Sequence, residues 1–466
     1  MARRSLSVVA FLLVLVVSSA ARADRAGKET AYPAKVGENG RYLLDQHGKP
    51  FFYLGDTAWE LFHRLDREEA DAYLRDRASK GFTVIQAVVL AEHRFSDPNP
   101  NGHLPLHDND PTRPVDGYFR DVDAVVDRAD SLGLVIGMLP TWGDKWNKKW
   151  GKGPEIFTPE NAAAFGEFLG RRYRDKPIVW ILGGDRPIEN ESHAAIIRAM
   201  AKGLRKGDGG RHLISYHPNG GHTSAEWFHD DDWLAFNMLQ SGHNYNRETY
   251  KKVAADYARQ PTKPCMDAEP GYEDHPAGFD KKNGYLDDHD VRKSAYWALF
   301  AGAHGHTYGC HDIWQFLDRH REPISAARTP WREALKLPGA GQMQYARRLI
   351  ESRPFLSRIP DPSLITSNSG TGGDHLEATR DAEGSYAFVY SASGKPFSAD
   401  LGKLSGKEIR GSWYDPRDGT SRAIGTFMRE GVREFRPPSQ GKGHDWVLVL
   451  DETGRGYAVP GRAAED

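Results

Sequence analysis

Between residues 51 and 314, short and almost wholly apolar runs alternate with longer amphipathic stretches. A strand that is apolar on both faces must be covered on both. The amphipathic segments between such runs are the natural covers, which is the pattern of βα units and a parallel sheet. The runs predict strands at 51–54, 82–90, 134–139, 178–182, 212–216, 234–239, 264–268 and 305–309. Asp66 reads as the cap of a helix that Gly81 ends, and Thr158-Pro159-Glu160 opens another with proline at its first position. Seven intervening segments are clear, and 341–351 supplies a closing helix. Eight such units predict an α/β fold, a closed (β/α)8 TIM barrel.

The pattern changes after 360–373, a stretch rich in Pro, Ser, Thr and Gly that reads as a boundary. Runs at 385–391, 397–401, 409–414, 422–427 and 445–450 are short β segments separated by turns, and predict a small C-terminal all-β sandwich. At the other end, Arg3 and Arg4 precede an apolar run over 8–17 and a small-x-small site at Ala21-Arg22-Ala23. That is the pattern of a secretory signal peptide. The expected organisation is signal peptide 1–23, barrel 24–358, sandwich 359–456 and an unstructured tail 457–466, in a chain exported to the periplasm or beyond.

In such barrels the site lies where the strand C-termini and their loops gather. Here those ends carry Asp56, Gln86, Trp142, Asp185, His217, Gln240, Glu269 and Trp314, and the opposite ends carry nothing comparable. Asp185 leaves the fourth strand after two glycines, and Glu269 leaves the seventh just before a proline. Strands four and seven face each other across an eight-stranded mouth. Two carboxyl groups so placed can flank a sugar, one protonating the leaving oxygen and the other attacking or activating water. Each has a plainer reading. Asp185 is also a possible cap for the next helix. Asp267 shares the parity of Glu269 and is expected to point inward one layer deeper, and Glu273 is its rival further along the loop. Asp56, Trp59, His217 and Gln240 are candidate sugar ligands or structural polar groups, and Trp142 and Trp314 either stack on sugar or pack beneath loops. A metal reading of His304, His306 and His311 lacks a completing ligand. The Asp230-Asp231-Asp232 run reads as a solvated loop, and no Gly-x-Ser-x-Gly elbow suggests an esterase. A net charge of −2 removes the electrostatic argument for nucleic acid or anionic membranes. With 12 Trp and 19 Tyr the aromatic supply suits a carbohydrate partner as well as a core. Cys265 and Cys310 are equally readable as a bridge or as two buried thiols.

Several phrases carry a resemblance. Leu54-Gly55-Asp56-Thr57-Ala58-Trp59, Gly81-Phe82-Thr83-Val84-Ile85-Gln86, Ile181-Leu182-Gly183-Gly184-Asp185, Glu269-Pro270-Gly271-Tyr272-Glu273 and the Ala301 to Gly309 stretch resemble the apiosidase-like catalytic domain of glycoside hydrolase family 140. Trp413 to Gly419 and Asp445 to Leu450 resemble the small sandwich that follows it, labelled a collagen-binding domain. The resemblance implies release of apiose from pectic side chains, with Asp185 as acid/base and Glu269 as nucleophile. Tyr272 and Glu273 then join the substrate-binding set, with no cofactor and no metal. A retaining pair is expected roughly 5–5.5 Å apart. The competing readings are an exo-glycosidase on another furanose such as arabinofuranose, a polysaccharide- or matrix-binding protein that has lost catalysis, and a metal-dependent hydrolase.

Overall fold

The computed structural model describes residues 29–462; the signal-peptide reading of 1–23 and residues 463–466 lie outside them. All eight predicted barrel strands form: Tyr53–Thr57, Val84–Leu90, Val135–Thr141, Ile178–Gly183, Ile214–His217, Asn237–Leu239, Cys265–Asp267 and Gly305–Tyr308. They pair in parallel, with the first strand between the second and the eighth. An isolated parallel bridge from Ile214 in the fifth strand to Leu234, just before the sixth, brings the two ends of the sheet together. Among the described residues no helix is long and apolar enough to cross a membrane.

The helices start where the capping chemistry places them. Asp66 caps Arg67–Ser79 through a capping box with Glu69, and Thr158 does the same for Pro159–Arg172 with Asn161. Each cap satisfies amide groups that the first helical turn leaves without partners, an effect of about 1 kcal/mol. The closing helix, Pro338–Glu351, begins three residues earlier than the sequence suggests because Pro338 occupies its first turn.

One element is invisible to the strand-helix pattern. A three-stranded antiparallel sheet, Pro33–Val36, Leu43–Asp45 and Pro50–Phe51, precedes the barrel. Leu43 and Phe51 join the interior cluster that includes Tyr53, Val84, Val135, Val179, Phe236 and Met266. The sheet therefore covers the end of the barrel remote from the strand C-termini.

The C-terminal sandwich has a six-stranded antiparallel sheet and a two-stranded one, Phe397–Asp400 with Val432–Phe435. Its own core includes Leu376, Phe397, Trp413, Phe435 and Trp446. The polar stretch after residue 360 is part of it, since Ile365 bridges to Ala399. Tyr457 seats beside Arg353 and hydrogen-bonds Ser385. The sandwich is fixed to the barrel helix Asp288–Phe300. Tyr296 stacks on Tyr390 at 4.9 Å, and the buried Arg292 guanidinium donates to both oxygens of Asp445 at 2.9 and 2.7 Å. Cys265 and Cys310 are unbonded and buried.

Candidate active site

The fourth strand ends in Gly183 and Gly184, with φ of 95° and 104°. A Cβ on Gly183 would lie 2.3 Å from the carbonyl oxygen of His217, and one on Gly184 would lie 2.6 Å from the amide of Gly143. Only glycine satisfies both the dihedral and the space. Asp185 follows with φ of 57°, a left-handed backbone that costs a non-glycine residue about 1 kcal/mol. The turn delivers its carboxyl into the barrel mouth. There Oδ2 accepts from the indole N–H of Trp150 at 3.4 Å and from Nη1 of Arg186 at 3.2 Å. Burial, and then the charge of Glu269, push the Asp185 carboxyl up to about 6 against the pull of Arg186.

Glu269 leaves the seventh strand into the same mouth. Burial opposes its charge, but the contacts from His217 and His243 outweigh that penalty and hold its carboxyl down to about 2. Nε2 of His243 lies 3.0 Å from Oε1, and Nε2 of His217 lies 2.9 Å from Oε2 as an ion pair rather than an aligned hydrogen bond. Two carboxyl groups facing one cavity are therefore driven in opposite directions, one toward the acid and one toward the carboxylate.

The cavity has a volume of about 720 Å³. Eight residues singled out from the sequence line it: Asp185, Glu269, Trp59, Trp142, Gln240, Tyr272, Trp314 and, from the rejected metal reading, His311. Trp59 and Trp142 sit with ring centres 5.1 Å apart, and the Trp59 indole donates to the Tyr272 hydroxyl at 3.2 Å. This gives a rigid apolar floor with few polar points, a surface suited to the C–H face of a sugar ring.

Five other expectations are corrected. Asp56 does not face the cavity. Tyr53 and Gly55 point into the barrel, so Asp56 points out to the helix layer, where it accepts from Arg77 at 2.5 Å and from the hydroxyl of Tyr73. Glu273 also lies behind the site, taking hydrogen bonds from the Tyr308 hydroxyl and the Gly339 amide. Gln86 points inward but lies below the floor, donating to Thr307 at 2.9 Å. His217 is wholly buried and acts on Glu269 instead of lining the cavity. Asp267, expected inside the barrel, faces outward to the Thr249 hydroxyl at 2.7 Å, because Met266 and Ala268 hold the interior positions.

The structure adds residues that sequence reasoning passed over. Trp150 and Phe279, 60% and 63% exposed, stand at the cavity mouth. His243 stacks on His275 at 4.3 Å, and His275 meets His311 edge-on at 4.2 Å. Burial, then the neighbouring His243 and His311, depress the His275 imidazole far below its usual range, so it is neutral. The buried Arg186 pairs with the partly exposed Glu92 beside Asp185. The repeated spacing Trp142, Trp146, Trp150 and the Gly242-His243 turn after Gln240 were the available signals. Neither could be separated from core without coordinates.

His304 and His306 are buried apart from the cavity. Among the described residues the one group with metal-ligand spacing is Asp287, His289 and Asp290. Its members already engage Lys442, the Ala392 carbonyl and Lys293. Asp231 and Asp232 pair with Arg198 and Arg205 across the helix Glu191–Asp208.

Comparison with known proteins agrees with this geometry. Residues 37–357 match the family described as "Apiosidase-like, catalytic domain", and 359–451 match "Putative collagen-binding domain of a collagenase". A solved structure described as a glycoside hydrolase is 35% identical with a TM-score of 0.83, over 91% of this chain and 97% of that one. A glycoside hydrolase family 5 structure from Bacteroides vulgatus is also 35% identical, with a TM-score of 0.85 over 93% and 96%. No curated protein matches the chain.

Proposed function

Because the chain belongs to the apiosidase-like family of glycoside hydrolases, we propose that it is an exported, retaining exo-enzyme releasing terminal apiose-like furanosyl residues from pectic side chains. Asp185 is the acid/base and Glu269 the nucleophile. The observation that carries this reading is the opposed protonation of two carboxyls lining one cavity, about 6 for Asp185 and about 2 for Glu269. At mildly acid pH the first holds a proton and the second does not, which is the state a retaining glycosidase requires before its first step.

In that step Glu269 attacks the anomeric carbon while the glycosidic C–O bond breaks and the leaving oxygen takes the Asp185 proton. The products are a glycosyl ester on Glu269 and a free alcohol. Asp185, now ionised, takes a proton from water whose oxygen attacks the same carbon, and Glu269 leaves as a carboxylate. His217 and His243 stabilise that carboxylate as leaving group.

Incubation with pectic oligosaccharides and aryl furanosides, with identification of the released monosaccharide, tests the substrate. Apiose is expected; arabinose alone would redirect the assignment. Proton NMR of the first-formed sugar tests retention. Activity should survive chelation, and an absence of turnover across the whole panel would favour the non-catalytic binding reading.

A further inference from the structure

Trp150 is 60% exposed, yet the loop that carries it is braced on both sides. The amide of Lys148 donates to Oε1 of Glu155 at 2.7 Å, and Lys149 pairs with Glu189. Beyond Trp150, the amides of Lys152 and Gly153 donate to Oδ2 of the buried Asp144 at 3.1 and 2.7 Å. A Cβ on Gly151 would lie 2.4 Å from both Nη2 of Arg186 and Cβ of Asp144, so only glycine brings the loop this close to the guanidinium. Arg186, wholly buried, then covers one face of the Trp150 ring, 4.7 Å from its centre. The exposure belongs to the opposite face, at the mouth of the cavity. An indole face held open in this way is a stacking surface for the C–H face of a sugar.

Its place in the site is set by the acid. The Trp150 indole N–H donates to Oδ2 of Asp185 at 3.4 Å, and Nη1 of Arg186 donates to the same oxygen at 3.2 Å. Oδ1 has no partner among the described residues, so it is the oxygen left to carry the proton. In a retaining displacement the leaving group departs from the face of the anomeric carbon opposite the nucleophile. Glu269 therefore marks one side of the bound sugar, and the leaving group lies on the other, against Asp185. Trp150, in contact with Asp185, is on that departing side. Phe279, also exposed at the mouth, packs edge-on against His243 at 5.6 Å and His275 at 4.7 Å, on the Glu269 side.

We propose that Trp150 is a specificity-determining residue for the leaving group: its open face stacks on the ring of the departing sugar, the subsite just beyond the bond that is cut. The inference rests on the reading of Asp185 as acid and Glu269 as nucleophile. Binding energy gained on the remote ring holds the scissile oxygen against the acid, and so appears in kcat as well as KM. A sugar leaving group should then be preferred to an alkyl one, and the preference should reside in the Trp150 ring. The indole N–H acts through Asp185 and serves both leaving groups alike.

The test compares kcat/KM of the full chain on two kinds of substrate. One is a disaccharide in which apiose or arabinofuranose is linked to a pyranose; the other is the methyl furanoside of the same sugar. Both need the proton, so any effect of a variant on Asp185 cancels in their ratio. The native protein is expected to favour the disaccharide by about tenfold or more. In Trp150→Ala the ratio should fall to about one, while Trp150→Phe, which keeps a ring and loses the N–H, should retain most of the preference. An unchanged ratio in Trp150→Ala overturns the inference and leaves the catalytic pair intact. Collapse of the ratio in Trp150→Phe to the Trp150→Ala value overturns it too, since the preference would then belong to the N–H. So does the lack of any preference in the native protein, a readout that needs no variant to fold. Failure of the functional reading is distinct: the native protein would cleave neither substrate, and the inference would fall with it.

Discussion

Glu269 Oε2 lies 2.9 Å from Nε2 of His217, while Nδ1 of the same imidazole donates to the Pro218 carbonyl at 2.9 Å. A carbonyl and a carboxylate can only accept, so both ring nitrogens carry protons and His217 is an imidazolium. Burial opposes that charge, but Glu269 outweighs it and the imidazole is raised from its ordinary range. The ion pair sits wholly inside the protein, where it is poorly screened. His217→Asn removes the charge while keeping a donor. The acid limb of the kcat/KM profile is expected to move up by about one unit or more, with kcat lower by about tenfold or more. An unmoved acid limb, measured between pH 3 and 7, would show that His217 does not set the state of Glu269.

The pH profile of the native enzyme follows from the same two carboxyls. Turnover needs Glu269 ionised and Asp185 protonated, so kcat/KM should rise through about 2 and fall through about 6. The profile is a bell with an acid optimum and little activity above pH 8. The limbs are properties of the interacting pair. A plateau extending past pH 8 would sink the assignment of Asp185 as acid.

The two acids should fail differently when neutralised. Glu269→Gln is expected to lower kcat by about 10³ or more on every substrate, since no nucleophile remains. Asp185→Asn should lower kcat by about 10² to 10⁴ on an unactivated glycoside, but much less in the first step on a 4-nitrophenyl glycoside, whose leaving group needs no proton. Steady-state kinetics on the matched pair separates these outcomes; equal losses on both substrates would contradict the division of roles.

Asp56 gives the opposite expectation. It is wholly buried with Arg77 and Tyr73 behind the first strand, outside the cavity. Asp56→Asn leaves Arg77 underpaired in the interior and should cost about 3–5 kcal/mol of stability. Thermal unfolding should show a clear fall in Tm while kcat per folded molecule stays near native. Lost turnover with unchanged Tm would restore Asp56 to the site.

The sandwich should unfold with the barrel. Arg292 and Asp445 form a buried two-pronged pair across the junction, and Arg358 donates to the Leu299 and Ala303 carbonyls. Calorimetry is expected to show one transition, and Asp445→Asn to destabilise by about 3–5 kcal/mol. Two well-separated transitions would mean that the halves are energetically independent.

The barrel was legible in the sequence because its signal is local and repeated. A strand covered on both faces needs an unbroken apolar run, and the runs at 84–90 and 178–183 supply it. The three-stranded sheet was not, since Pro33–Val36 and Leu43–Asp45 are too short and polar to stand out. The strands Leu376–Asp381 and Val432–Phe435 were missed for the same reason, being half polar, and the second pairs with Phe397–Asp400, remote in the chain. At the site, Asp185 and Glu269 were legible because each follows a strand directly, beside glycine or proline. Asp56 looks the same on that criterion, and only side-chain direction separates it.

By itself the sequence determined the eightfold alternation, the mouth at which the strand ends gather, and two acids delivered to that mouth by turns that only glycine and proline favour. These follow from local periodicity and backbone sterics, which neighbours in the chain impose on one another. The tertiary structure decided which polar groups face the cavity, which imidazoles hold Glu269 ionised, and that Glu92 and Asp185 share Arg186. Those facts depend on burial and on distances of about 3 Å between residues far apart in the chain, and electrostatic environment is a property of that assembled surrounding.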